Sequence, residues 1–291
     1  MSILPADRVV LRRHPDRMVL MSPTNQAVYR ITLQHQGSSQ LSDPSDTGYS
    51  HRIAWAMASA GLNVLTPLTP EPLTIEGYAV STYPLAEGLE LTGWFRNEPE
   101  QLGAELAAWR TYTNPALHAL DIPAYSRARS VLASNSSSAA LRAAGRFCLN
   151  RLDREEQAHP WDDLMLQTAT VHGDPHLGNV VRLDNRLLFI DLDTVKIGPE
   201  GFDLAVMQQY VARYGAAFPA SQVIDGYQRD GSSVDSSRLD ALMAWKSLSS
   251  LTQLLTRWSQ DGIPAEFHRR VRSQTNWGNV TNTPMVPRIH T

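Results

Sequence analysis

The chain has a single cysteine, Cys148, in 291 residues. One thiol excludes an intramolecular disulfide framework and fits a reducing compartment. No window approaches the roughly 20 apolar residues that a membrane-spanning helix requires. Met1 to Arg13 carries no long apolar core and no cleavage-like site, so no secretory leader is expected, and the Asn279-Val280-Thr281 acceptor triplet is read as chance. Charge of one sign is also scarce. A net charge of −3 removes the global basic field that nucleic acid or an anionic membrane surface would call for. Lysine is nearly missing: of 26 basic residues only Lys196 and Lys246 are lysines, and none precedes residue 196. The expectation is a soluble cytoplasmic protein, monomer or homodimer, with no nucleic-acid or membrane partner.

What is present suffices for real cores, since 42% of the residues are hydrophobic. The first 33 residues read as a β meander. Val9-Val10-Leu11, Met18-Val19-Leu20-Met21 and Ala27-Val28-Tyr29-Arg30-Ile31 are separated by the turns His14-Pro15-Asp16-Arg17 and Ser22-Pro23-Thr24-Asn25. Gln34 to Asp46 is polar and loop-like. Ser50 to Ala60 has Ile53, Ala54, Met57 and Ala60 at helical spacing, and Gly61 stops it. Tyr78 to Tyr83 reads as a strand running into Pro84 and Gly88. After about residue 90 the pattern turns helical: Glu98 to Tyr112, Ser137 to Gln157 after a Ser-rich loop at 130–138, Phe202 to Tyr214, Ser221 to Arg229, Arg238 to Trp258 and Ala265 to Gln274. These segments divide the chain into an N-terminal region, 1–83, and a C-terminal region, 84–291. The tail from Trp277 is expected to pack loosely.

A hairpin interrupts the helices. Thr168 to Val171 is a short apolar strand, and Val180 to Leu183 and Arg186 to Ile190 flank the two-residue turn Asp184-Asn185. Around it stand His172-Gly173-Asp174-Pro175-His176-Leu177-Gly178-Asn179 and Ile190-Asp191-Leu192-Asp193. The order His-x-Asp-x-x-x-x-Asn, apolar strand, Asp is that of a kinase catalytic loop followed by its metal-binding aspartate. Phosphoryl transfer asks the protein for in-line positioning and charge cancellation rather than covalent chemistry. Asp174 can accept the proton of a substrate hydroxyl. Asn179 and Asp191 supply two hard oxygens, adequate for Mg²⁺ that also binds phosphate oxygens.

Blander readings exist for each residue. Asp and Asn are common in turns and caps, which accounts for any one of these positions but not for the combination. His172 is read as a loop residue that bonds the backbone, with an acid–base role as its alternative. Gly173 is a backbone device for the tight loop. A rival assignment makes His172, Asp174 and His176 metal ligands of a hydrolase, with Asp191 and Asp193; Gly173 and Pro175 argue against the regular strand it needs, and Asn179 is left unused.

The motif set, with Gly198-Pro199-Glu200-Gly201-Phe202-Asp203-Leu204-Ala205 following directly, resembles the aminoglycoside phosphotransferase and choline kinase-like family of small-molecule kinases. The resemblance covers most of the C-terminal half. It implies an α+β, protein-kinase-like two-lobe fold, with a small antiparallel-sheet N-lobe carrying one helix and a mostly helical C-lobe carrying the catalytic hairpin. It implies transfer of the γ-phosphoryl group of ATP or GTP to a hydroxyl of an antibiotic, sugar, nucleoside or similar metabolite, with antibiotic resistance among the roles such enzymes have. By resemblance Asp174, with His172 beside it, is catalytic; Asn179, Asp191 and Asp193 hold Mg²⁺; Gly173 and Asp203 are structural. Arg30, Thr82, Tyr83 and Leu85 fall where the family binds its nucleotide.

The N-terminal region departs from the kinase pattern. Kinases carry a strand-three Lys on the α- and β-phosphates, paired to a Glu on the next helix. Here no lysine is available. In one register Ala27 to Ile31 is strand three and Arg30 takes that position; in another, strand three falls near Ser42 and has no cation. Guanidinium can bind phosphate bidentately but is bulkier than an ammonium. The only acids between Ile31 and Pro70 are Asp43 and Asp46, and Ser22-Pro23-Thr24-Asn25 contains no glycine. An active small-molecule kinase is therefore the first expectation, and a kinase-like binding protein with weak or lost nucleotide use the alternative. Tyr210, Tyr214, Asp225, Tyr227, Trp245, Trp258 and Asp261 are acceptor-pocket candidates. Scattered acids among aromatics favour a weakly charged acceptor over a polycation.

Overall fold

Short apolar runs separated by turns build the N-terminal sheet. In a computed structural model, which describes residues 7–13, 17–32, 44–76, 78–88, 98–122, 124–214, 219–229, 231–232, 234–260 and 262–274, Val9–Arg13 (β1), Arg17–Ser22 (β2), Ala27–Thr32 (β3), Leu73–Ile75 (β4) and Tyr78–Pro84 (β5) form an antiparallel sheet in the order β1-β2-β3-β5-β4. Leu20, Ile31 and Val80 make a small core, with Met18, Tyr29 and Ile75 packed against it. Val19, Val28, Arg30 and Tyr83 line a cavity. Because side chains alternate along a strand, Arg30 is sent to the face opposite Tyr29 and Ile31.

The helix Pro44–Ser59 (α1) begins earlier than the apolar pattern suggests. Proline is well tolerated at a first helical position, where its missing N–H costs nothing. Its buried residues include His51, Ile53, Ala54 and Met57. The polar stretch expected before it lies, up to residue 43, outside the described residues, as does the tail from residue 275.

Two compact units emerge: residues 1–93 with 177–194, and residues 94–176 with 195–291. The first thus includes the hairpin that turns at Asp184-Asn185. Glu87–Gly88 (β6), Val180–Leu183 (β7) and Arg186–Phe189 (β8) form its second sheet. Asp184 and Asn185 turn that hairpin with φ of 49° and 60°, the left-handed pair a two-residue hairpin loop demands. Leu65, Val181 and Leu188 form the adjoining core.

The second unit is helical around a two-stranded ribbon, in which Thr168–Val171 (β9) pairs antiparallel with Lys196–Pro199 (β10). Its helices are Glu98–Trp109 (α2), Ala124–Ala133 (α3), Ala139–Ala158 (α4), Trp161–Leu164 (α5), Phe202–Tyr214 (α6), Ala220–Gln228 (α7), Ser236–Leu255 (α8) and Ile263–Gln274 (α9). Helix α3 replaces the first part of the Ser-rich loop expected at 130–138. Its buried stripe is Ala124, Ala128 and Val131, helical in spacing but too weakly apolar to stand out. Side-chain caps start two of the helices: Ser138 Oγ accepts from Leu141 N–H at 3.1 Å and Asp235 from Arg238 N–H at 2.7 Å. Among the described residues no helix is long and apolar enough to cross a membrane.

Helices α2 and α7 meet backbone to backbone. A Cβ on Gly226 would stand 2.1 Å from the Glu100 carbonyl oxygen, and one on Gly103 2.0 Å from that of Val223. Gly226→Ala is therefore expected to force the helices apart and destabilise the protein by about 3 kcal/mol. Chemical denaturation should show that loss, and a change within about 0.5 kcal/mol, the range of neutral surface substitutions, would refute the contact.

Candidate active site

The second unit holds the loop that carries Asp174. Strand β9 ends at Val171, and the chain turns through Gly173 at φ 85°, a conformation glycine adopts without a Cβ penalty. The turn leaves two backbone donors needing partners in a buried setting. Asp203, in the first turn of α6, supplies both: its Oδ2 accepts from His172 N–H at 2.7 Å and its Oδ1 from Gly173 N–H at 2.9 Å. Burial pushes the Asp203 carboxyl above its ordinary range, although His172 and the two N–H groups favour its ionised form. The His172 ring is fully buried, stacked on Trp109 at 5.9 Å between centroids, and its Nδ1 accepts from Asp174 N–H at 3.4 Å.

The Asp174 carboxylate is about a third exposed, with Lys246 Nζ 3.4 Å away and His176 Nε2 at 3.9 Å. The His176 ring lies 5.2 Å from that of Tyr210. Lys246 was not among the residues expected at the site. Its one sequence signal was rarity, as one of two lysines in the chain.

The first unit holds the remaining polar groups. Its cavity measures about 350 Å³, within the usual range for ligand sites. Apolar residues such as Val28, Leu65, Val181 and Ile190 make its walls, and Arg30, Asn179 and Asp191 its polar part. Arg30 bridges two carboxylates: Nη1 donates to Asp191 Oδ1 at 3.0 Å, and Nη2 donates to Asp193 Oδ2. Burial alone would lower the guanidinium pKa, but Asp193 and Asp191 outweigh it and the net shift is upward. Asp191 has φ 61°, sparsely populated for a residue with a side chain and of the kind found at functional sites. The Ile190 N–H to Asn179 carbonyl bond, 3.0 Å, ties the two ends of the hairpin together beside it.

The α1 residue on this face is His51 rather than an acid. Its Nε2 is 2.7 Å from the hydroxyl of Ser81, the residue paired with Arg30 across the sheet. Burial lowers the imidazole pKa, so at neutral pH it adds no second positive charge near Arg30. The neutralising acids come instead from the segment after the hairpin.

Of the nucleotide-binding expectations, Arg30 and Tyr83 line the cavity and Thr82 and Leu85 do not. The Thr82 carbonyl accepts from Leu68 N–H at 2.7 Å, and Leu85 N–H donates to the Gln26 carbonyl at 2.8 Å. Leu85 borders a separate, more open hollow beside the hairpin turn. Strand β3 spans Ala27–Thr32 and contains Arg30; residues near Ser42 lie outside the described residues. Among the acceptor-pocket candidates Tyr210 lies against His176 of the loop, and Tyr227 hydrogen-bonds the backbone of Gly201 at the start of α6. Tyr227 and Trp245 are buried in the second unit, Trp258 packs on Phe267, and Asp225 is exposed. Asp261 and the Tyr214 side chain fall outside the described residues.

The profile of the phosphotransferase enzyme family matches residues 7–242, and the chain belongs to that family. No curated protein is matched by sequence. Solved structures share the fold at low identity. A choline/ethanolamine kinase family protein from Mesorhizobium loti aligns with TM-score 0.62 and 15% identity over 97% of this chain and 90% of its own. An amicoumacin kinase, in complex with AMP-PNP, Ca²⁺ and Ami, aligns with TM-score 0.64 and 13% identity over 97% and 91%. The GDP complex of an aminoglycoside 2'-phosphotransferase aligns with TM-score 0.63 and 13% identity over 94% of each chain. The fold is thus the protein-kinase-like one of aminoglycoside phosphotransferases and choline kinases, with the expected antiparallel-sheet N-lobe and helical C-lobe.

Removing Asp203 would leave two buried N–H groups unpaired. Asp203→Ala is expected to cost roughly 2–6 kcal/mol of stability, counting about 1–3 kcal/mol for each orphaned donor. Thermal unfolding checks this, and an unchanged melting temperature would mean the loop does not depend on Asp203.

Proposed function

We propose that the protein is a small-molecule kinase that transfers the γ-phosphoryl group of ATP or GTP to a hydroxyl of an antibiotic, sugar, nucleoside or similar metabolite. The observation that carries this reading is the meeting of Arg30, Asn179 and Asp191 in one apolar-walled cavity. Such walls suit a nucleobase, and a guanidinium suits phosphate oxygens. The relatives crystallised with AMP-PNP and with GDP support a nucleoside triphosphate as donor.

The donor atoms near Arg30 are an amide oxygen and carboxylate oxygens, the hard ligands Mg²⁺ prefers. Among the described residues no three His, Cys, Asp or Glu side chains form a metal cage, which fits a cation that takes few protein ligands beside phosphate oxygens and water. Asn179 and Asp191 would hold it, with Asp193 assisting. Bound Mg²⁺ supplies neutralisation of the charge on the transferring group. Arg30 would bind and orient the phosphates, keeping its charge at any working pH. Asp174 would accept the proton of the acceptor hydroxyl and aim its oxygen. His172, stacked and buried, would keep the loop in shape. The ammonium of Lys246, 3.4 Å from the Asp174 carboxylate, disfavours a polycation at that point and favours a neutral acceptor.

A kinase-like binding protein with weak nucleotide use is the second reading. The occupation of Asp191 and Asp193 by Arg30 favours it.

Purified protein assayed with Mg²⁺, ATP or GTP and a panel of hydroxylated acceptors is expected to release ADP or GDP. Asp174→Ala and Asp191→Ala should each lower that turnover by at least about a hundredfold, the scale of a lost general base. Wild-type protein that turns over neither nucleotide with any acceptor would remove the proposal's main support.

A further inference from the structure

Lys246 lies in the middle of helix α8, among the buried residues Leu242, Trp245 and Leu248. Placing an ammonium there costs desolvation unless its protons find partners. Its neighbours include two groups of the Asp174 loop and a ring at the start of α6. Nζ donates to the Gly173 carbonyl at 2.9 Å, stands 3.4 Å from Asp174 Oδ1, and lies 5.7 Å from the centroid of the Phe202 ring. The chain uses arginine at nearly every other basic position. A compact ammonium with three donors can serve a carbonyl and a carboxylate at once, where a planar guanidinium would direct its donors in a fork.

The two peptide groups that flank the Gly173 Cα are thereby each held by a charged side chain. Asp203 takes the Gly173 N–H and Lys246 the Gly173 carbonyl. The backbone is then fixed up to Asp174, and the freedom left is rotation of the Asp174 side chain. The ammonium acts on that freedom, because Oδ1 is drawn to Nζ and Oδ2 is left on the side of His176, whose Nε2 is 3.9 Å from it.

We propose that Lys246 is a positioning residue for Asp174: its ammonium anchors one carboxylate oxygen so that the other faces the acceptor hydroxyl. The proposal rests on the reading of Asp174 as proton acceptor, but the contact can be tested apart from it. With two lysines in the chain, full-length protein labelled with ¹⁵N at the lysine Nζ gives two ammonium resonances, and Lys196→Arg assigns them. The Lys246 resonance is expected to exchange slowly with water and to shift in Asp174→Asn, while that of Lys196 stays in place. A Lys246 resonance that Asp174→Asn leaves unmoved would overturn the proposal.

A second arm uses Mg-ATP turnover with water as acceptor. Lys246→Met should lower kcat by roughly tenfold to a hundredfold, as loss of an orienting partner does, with KM for nucleotide within about twofold. Lys246→Arg, which keeps the charge, should recover part of kcat. Full activity in Lys246→Met, or equal losses in both lysine variants, would reduce Lys246 to a loop support. Wild-type protein without turnover on water or on any acceptor of the panel counts against the phosphotransferase reading alone, and the ammonium resonance then still decides whether Lys246 holds Asp174.

Discussion

A guanidinium between two carboxylates organises the first unit. Arg30 reaches Asp191 and Asp193 only because strand alternation turns it to the cavity face of β3, and only because the chain after the hairpin bends back through a left-handed Asp191. The arrangement solves an electrostatic problem within that unit. Two acids separated by one residue repel, and a part-buried arginine needs a counter-charge. Breaking a fully buried pair costs about 3–5 kcal/mol; the carboxylates here are about a third exposed, so solvent screening reduces that figure. The kinase strand-three Lys pairs with a helix Glu. In this chain His51 occupies the helix side of the face, near neutral, and the acids that balance the cation are those expected to bind metal.

The second unit settles a parallel problem with the charges reversed. A buried carboxylate, Asp203, takes the backbone donors of the loop, and a nearly buried ammonium, Lys246, takes a carbonyl and the Asp174 carboxylate. Hydrogen bonds to ionised groups are stronger than neutral ones and fix direction. The loop's shape is therefore held by opposite charges brought in from two helices. Stacking of His172 on Trp109 closes its buried side.

Local signals made much of this legible. The apolar runs of β2 and β3 between their turns, the Asp184-Asn185 turn and the helical segment Phe202 to Tyr214 are each readable within a short window, and those elements fall where the pattern puts them. The motif residues carry chemistry at fixed spacing, so Asp174, Asn179 and Asp191 could be singled out without coordinates. Helix α3 was hidden because alanines, not leucines, make its buried stripe. Strands β4, β6 and β10 are two to four residues long and exist through their partners, which no local pattern records. Lys246 and Asp174 are 72 residues apart, and Arg30 and Asp191 161. Contacts at that range follow from tertiary packing, and spacing rules do not reach them.

The proposed kinase activity requires the Arg30 cavity to bind nucleotide. Calorimetric titration of ATP and GTP into the protein, with and without Mg²⁺, tests that most directly. Submillimolar binding of at least one nucleotide in the presence of Mg²⁺, weakened in Arg30→Met, is the predicted result. No measurable binding of either nucleotide, with the cation present, would contradict it.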